Sequence, residues 1–63
     1  MCQASAYMEK DGKTELIMED IDLFESSQDH IKLVNIFGEE KEVKARIKRL
    51  YLVDHKIILE PVK

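Results

Sequence analysis

Cys2 is the only cysteine among the 63 residues, and it follows Met1 in the opening stretch MCQA. If Met1 is removed, as a small second residue permits, Cys2 carries an α-amine and a thiolate on neighbouring atoms. Together they form a five-membered N,S chelate. A free thiol titrates near pH ~8.5 and an α-amine at about 7.7 to 8.0, so both give up protons to a metal near neutrality. Binding then weakens as the pH falls. Sulfur with nitrogen donors in a planar arrangement favours nickel(II) or copper, whereas a tetrahedral set favours zinc. One chain has too few strong ligands for a closed structural zinc site. Two chains meeting at their N-termini supply two thiolates and two nitrogens. If Met1 is retained, the amine chelate is lost and a thiolate with backbone donors remains. Two other readings of Cys2 stand beside this one: a terminal or packed thiol without chemistry, and an intermolecular disulfide, which a reducing compartment disfavours.

His30 and His55 are the only imidazoles, the common nitrogen ligands of nickel, copper and zinc. Each stands alone, without HxH or HxxxH spacing, and each borders a predicted turn. That is the ordinary setting of an exposed histidine. The run Lys41, Lys44, Arg46, Lys48, Arg49 is the best nucleic-acid feature. On a strand, Lys44, Arg46 and Lys48 project from one face, and Tyr51 or Phe37 offers a stacking surface for single-stranded RNA. Glu39, Glu40 and Glu42 neutralise much of that patch. The acidic group Glu19, Asp20, Asp22 and Glu25 lacks the ordered spacing and fixed glycine of a calcium loop, and is assigned to turns and solvent. No Ser-His-Asp arrangement, phosphate-cradling glycine loop or zinc-hydrolase motif is present. No catalytic role is expected.

The elements that must position these residues belong to one small domain spanning 1–63. A chain of this size buries only about 60% of its unfolded surface and is marginal alone. A partner copy or a metal is therefore expected to add stability, and a two-fold dimer is the economical form. A charged fraction of 37% beside 44% hydrophobic residues fits a soluble globular domain with an ion-rich surface. The net charge of −3 argues against generic nucleic-acid binding. No apolar run approaches the roughly 18 residues of a membrane span. MCQASAYMEK also lacks the basic and apolar regions of a secretory signal, so a cytoplasmic protein is expected.

Period-two alternation puts Ala4, Ala6 and Met8 on one face of a first strand. Asp11-Gly12 is a hairpin-turn signal, and Thr14 to Met18 returns with Thr14, Leu16 and Met18 on one side. Asp22 to Ser26 forms a third strand, although Leu16, Ile17, Ile21 and Phe24 also fit a helical stripe. SSQD is a turn, and the β-branched run His30 to Phe37 is a fourth strand ending at Gly38. Residues 42–50 fit two patterns. Val43, Ile47, Leu50 and Tyr51 suit a helix, while Val43, Ala45 and Ile47 alternating with Lys44, Arg46 and Lys48 suit a strand. Leu50 to Val53, a turn at Asp54-His55-Lys56, and Ile57 to Glu60 make a final hairpin. Six or seven short antiparallel strands joined by tight turns predict an all-β protein, a small barrel or sandwich, and a closed barrel leaves few open edges.

Met1-Cys2 followed by Ala4, the Asp11-Gly12 turn, Asp20-Ile21, Phe37-Gly38-Glu39-Glu40, Ile47 with Arg49, and the closing Ile57 and Leu59 together resemble the CooT family. Met-Cys at the start combined with Phe-Gly-Glu-Glu is the most specific element, and the likeness covers nearly the whole chain. The resemblance implies a homodimer of small SH3-like β-barrels that binds Ni(II) through Cys2, associated with carbon monoxide dehydrogenase maturation as a metallochaperone or nickel store. It also tips Glu42 to Arg49 towards strand. The chain departs from the family pattern at Tyr51, where an acidic residue is familiar, and at His55, where glycine is familiar. Histidine enters left-handed geometry more readily than most residues, which suits it to that turn. The competing function is an RNA-binding or protein-binding module using the Lys44, Arg46, Lys48 face.

Overall fold

A computed structural model describes residues 4–62 and contains five strands: β1 Ala4–Lys10, β2 Lys13–Ser26, β3 His30–Asn35, β4 Glu40–Tyr51 and β5 Lys56–Pro61. They close into a barrel in the order β1-β2-β3-β4-β5, with β5 returning to β1. Consecutive strands pair antiparallel. The closing pair differs: Ser5 to Met8 of β1 run parallel to Lys56 to Leu59 of β5. The all-β barrel expected from the pattern is present. None of its helical alternatives forms among the described residues, and no helix there is long and apolar enough to cross a membrane.

The strand count is lower than expected because two predicted breaks lie inside continuous strands. Asp11 and Gly12 both have positive φ (53° and 78°), as a tight two-residue hairpin requires, so the first turn forms as read. Beyond it, β2 does not stop at Glu19-Asp20. Its first part pairs with β1 and, from Ile21 onward, it pairs with β3. Asp20 takes the bend at φ 55°, a conformation aspartate enters more easily than most residues. Its carbonyl accepts a bond from the Ile36 N–H at 2.9 Å, so the bent backbone stays satisfied. The predicted strands at 42–49 and 50–53 also merge. Strand β4 pairs with β3 through Lys44 and with β5 from Ala45, and the turn runs from Leu52 to His55.

Extra residues in the ladders decide which side chains face inward. Between Ala6–Met18 and Tyr7–Leu16 the β1–β2 register shifts, leaving Ile17 as the additional residue of β2. A bulge of this kind re-aims the side chains beyond it. Met18 and Ile17 pack on the core, while Leu16 is 47% exposed beside Tyr7, contrary to the simple alternation of Thr14, Leu16 and Met18. The core consists of Ala6, Ile21, Ile31, Leu33, Ala45, Ile57 and Leu59, with Met8, Phe24 and Val43 against it. Each strand contributes to it, as a ring with one interior demands.

Asn35 ends β3 and is the one buried polar residue described. Its side-chain oxygen accepts the N–H groups of Phe37 (3.0 Å) and Glu39 (2.9 Å), and its Nδ2 donates to Glu39 Oε1 at 2.7 Å. Backbone bonds from Asn35 N to Glu39 O and from Gly38 N to Asn35 O close the same turn. Gly38, at φ 82°, supplies the left-handed residue that the turn needs. Asn35→Ala leaves two turn N–H groups without their acceptor and is expected to cost about 1–3 kcal/mol in urea unfolding. Asn35→Asp keeps the acceptor and should lose less, with the loss shrinking as its carboxyl is protonated. An Asn35→Ala protein with an unchanged midpoint would contradict this account of the turn.

Candidate functional site

Cys2 and Met1, the residues on which the metal reading rests, lie outside the described residues. The described structure begins two positions later, at Ala4, and the surroundings of that strand start are well defined. The Ser5 N–H donates to the His55 carbonyl at 2.9 Å, tying the β4–β5 turn to the start of β1. His55 stands in this turn at φ 54° with its side chain exposed. Nothing in local sequence signals this tie, because it joins backbone atoms of residues far apart in the chain.

The same end of the barrel is apolar at its tip and aromatic on its flank. Leu52 and Val53 are 78% and 91% exposed, and Leu50 is half exposed on the strand leading to them. On the flank, Tyr7, Tyr51, Lys56 and Ile58 line an open concavity of about 280 Å³ together with Thr14 and Asp54. The Lys56 ammonium lies 6.0 Å from the centre of the Tyr7 ring, the outer limit of a cation–π contact. Ile58, though on this outer face, is buried between its neighbours.

The remaining candidates are dispersed. His30 opens β3 in register with Lys44 and is exposed, its carbonyl accepting the Ser27 N–H at 2.9 Å. The β2–β3 hairpin carries His30 and the β4–β5 turn carries His55. Among the described residues, no group of three His, Asp or Glu side chains comes together to hold a metal. Glu19, Asp20, Asp22 and Glu25 lie along β2 rather than in turns, with Asp20 at the bend.

The basic stripe lies on β4 and is interleaved with acid. Lys44 and Arg46 are exposed at alternate positions, with Arg46 opposite Glu60. Lys48 is the extra residue where the β4–β5 register shifts between Ile47 and Arg49. Its ammonium pairs with the Glu9 carboxylate, which Arg49 also approaches at 3.6 Å while donating to the Tyr51 hydroxyl at 2.9 Å. The Lys48 hydrogen bond, followed by the charges of Lys48 and Arg49, holds the Glu9 carboxyl below the usual glutamate range despite an opposing contribution from burial. The Tyr51 hydroxyl in turn raises the Arg49 guanidinium.

A depressed carboxyl contributes stability above its unfolded pKa, and that contribution is lost as the pH falls through the folded value. Glu9→Gln is therefore expected to lower stability slightly at neutral pH and to flatten the acid limb below about pH 4.3, the ordinary glutamate value. Thermal midpoints measured from pH 7 to pH 3 in both proteins test this, and parallel curves would refute it. The pair is exposed, so added salt should shrink the difference.

With this geometry in hand, comparison with known proteins assigns the chain. Residues 1–60 match the family described as CO dehydrogenase accessory protein CooT. A crystal structure described as that of a candidate CooT from Carboxydothermus hydrogenoformans superposes with a TM-score of 0.88 at 45% identity, covering 98% of this chain and 100% of that one. An uncharacterized protein of Methanocaldococcus jannaschii is 33% identical over 60 residues, which is 95% of this chain and 98% of that protein. The chain belongs to the CooT family of CO dehydrogenase accessory proteins.

Proposed function

We propose that this protein carries or stores Ni(II) for carbon monoxide dehydrogenase maturation, as a cytoplasmic homodimer that holds the ion through Cys2 of both copies. The observation that carries this reading is the family match, which runs from residue 1 and so includes the single thiol. The ion is cargo, and the protein is not an enzyme. Thiolate sulfur with amine or amide nitrogen is a donor set suited to nickel(II). Ligand exchange at a terminal site needs no unfolding of the barrel, and the net charge of −3 does not repel a cation.

Two features of the barrel end support this reading. The exposed Leu50, Leu52 and Val53 form a patch that a second copy would cover. The bond from Ser5 to His55 connects the turn bearing that patch to β1, three residues after Cys2 in sequence. A dimer seated there would bring both chain starts to one place. His55 is accordingly the imidazole to test as an additional donor, ahead of His30.

Nickel titrated into the protein is expected to saturate at about one ion per two chains, with a sulfur-to-nickel charge-transfer band, and to be released as the pH drops through the range in which thiol and amine regain protons. Cys2→Ser should abolish the band, and equal binding by both proteins would remove Cys2 as the ligand. Intact mass under native conditions reports the number of chains per metal and whether Met1 has been removed. His55→Gly separates turn from ligand, because glycine accepts the left-handed conformation without cost. Its thermal stability is expected to match or exceed that of the parent, so a loss of nickel affinity in this variant reads the imidazole alone.

A further inference from the structure

On the side of the barrel formed by the β2 edge and the Asn35–Glu39 turn, the sheet is left open. Between Lys13 and Met18, β2 pairs with β1 along one edge, and β3 joins it only from Ile21. Among the described residues no strand pairs with the other edge of this stretch. Its outward N–H and C=O groups are therefore available to an added strand. Exposed edges are commonly protected by lysine, proline or brevity. This one has Lys13 at its start, charges at Glu15 and Glu19 and the extra residue Ile17, yet carries the apolar run Leu16-Ile17-Met18 at its centre.

A groove of about 500 Å³ runs beside that edge, and the turn following β3 forms its far wall. Phe37 stands on that wall and is 73% exposed. The wall is firmly built, since the Asn35 side chain fixes the N–H groups of both Phe37 and Glu39. Around the groove stand Glu19, Asp20, Glu39 and Glu40, with Lys41 the single cation among its lining residues. The apolar side chains of Leu16 and Phe37, an unpaired backbone edge and an acidic rim therefore converge on one concavity.

We propose that this groove binds an extended basic and apolar segment of another protein, which adds to β2 as a further strand. Backbone bonds to the β2 edge would supply affinity, alternate apolar side chains would rest on Leu16 and Phe37, and Lys or Arg side chains would meet Glu19 and compete with Lys32, 3.1 Å from Glu40, for that carboxylate. The acidic rim selects against polyanions and acidic peptides. Two β2 edges of two copies are a poor match, because Glu15 and Glu19 of each would face like charges. The basic β4 edge of a second copy is complementary in charge, but a contact between two different surfaces of one chain gives a ring where the rotation between copies closes and a filament where it does not, rather than the two-fold dimer proposed above. A partner of another sequence is the occupant that satisfies both constraints.

The test uses the full chain, isotopically labelled for NMR, with a capped nonapeptide of alternating Lys and Val as the probe and its Glu–Val counterpart as control. Saturable shifts are expected at the amides of Glu15 to Glu19 and Phe37 to Glu40, with slowed hydrogen exchange along β2 and no comparable response to the acidic peptide. Phe37→Ser and Glu19→Lys each change an exposed side chain, and each is expected to weaken binding roughly fivefold, the scale of one exposed ion pair or aromatic contact. Raising the salt should weaken binding by the parent more than by Glu19→Lys. Shifts confined to other surfaces, equal binding of the acidic peptide, or no saturation would overturn the proposal. Sedimentation of the unliganded chain provides a further check: concentration-dependent assembly that perturbs these same amides would assign the groove to a second copy and also overturn it. None of these readouts depends on nickel.

Discussion

The bend of β2 at Asp20 is the constraint on which the rest of the barrel depends. Five strands can enclose a common interior only if some of them serve neighbours in two differently oriented portions of the sheet, and β2 does so between β1 and β3. An aspartate at φ 55° and extra residues on either side concentrate the turn of the backbone into a few positions. The bond from Ile36 N to Asp20 O then fixes the bend to the end of β3. Strand β4 repeats the device more gently, changing partners near Ala45 and carrying one extra residue at Lys48.

This economy of strands determines where the protein is open. Where β2 and β4 change partners, each leaves part of both edges without a strand neighbour among the described residues, including the β2 edge at Lys13–Met18 and the β4 edge at Arg46–Arg49. On β4 the edge is crowded with Arg46, Lys48 and Arg49, a charge pattern that discourages self-association, and Glu9 partly neutralises it. On β2 the corresponding stretch is apolar and lies beside an acidic wall. The end of the barrel at His55 differs again, with exposed leucine and valine beside the start of β1. The apolar barrel end and the acidic groove thus occupy separate parts of a very small surface.

Much of the architecture was legible in the sequence. Asp11-Gly12 announces its hairpin because both residues tolerate positive φ, and alternation correctly puts Ala4, Ala6 and Met8 towards the interior. What escaped was continuity. Glu19-Asp20 reads as a turn because local chemistry cannot distinguish a bend that ends a strand from one that a neighbouring strand stabilises. Leu16 was misplaced for a related reason: an extra residue in a ladder reverses the facing of its neighbours, and that extra residue is defined by the partner strand, not by β2 alone. The ambiguity over residues 42–50 reflects apolar positions that satisfy both periodicities, and pairing with β3 and β5 resolves it. For the candidate site, the reading of Cys2 as a metal ligand rests on residue type and position alone, since Cys2 lies outside the described residues. The exposure of both histidines, with His55 in a turn and His30 at the border of one, follows from the sequence, whereas the tie from Ser5 to His55 is tertiary and has no local signature.

The parallel ladder between β1 and β5 bears on how such a chain is made. During synthesis β1 emerges well before β5, so the rungs from Ser5–Lys56 to Met8–Leu59 cannot form until β5 has left the ribosome. Ala6 and Leu59, both fully buried in the finished ring, remain without their closing neighbours until then. Long-range closures of this kind fold late, because loop entropy must be overcome before their contacts form. A chain interrupted before β5 lacks one wall of the barrel and leaves apolar surface, Ala6 included, that it cannot bury.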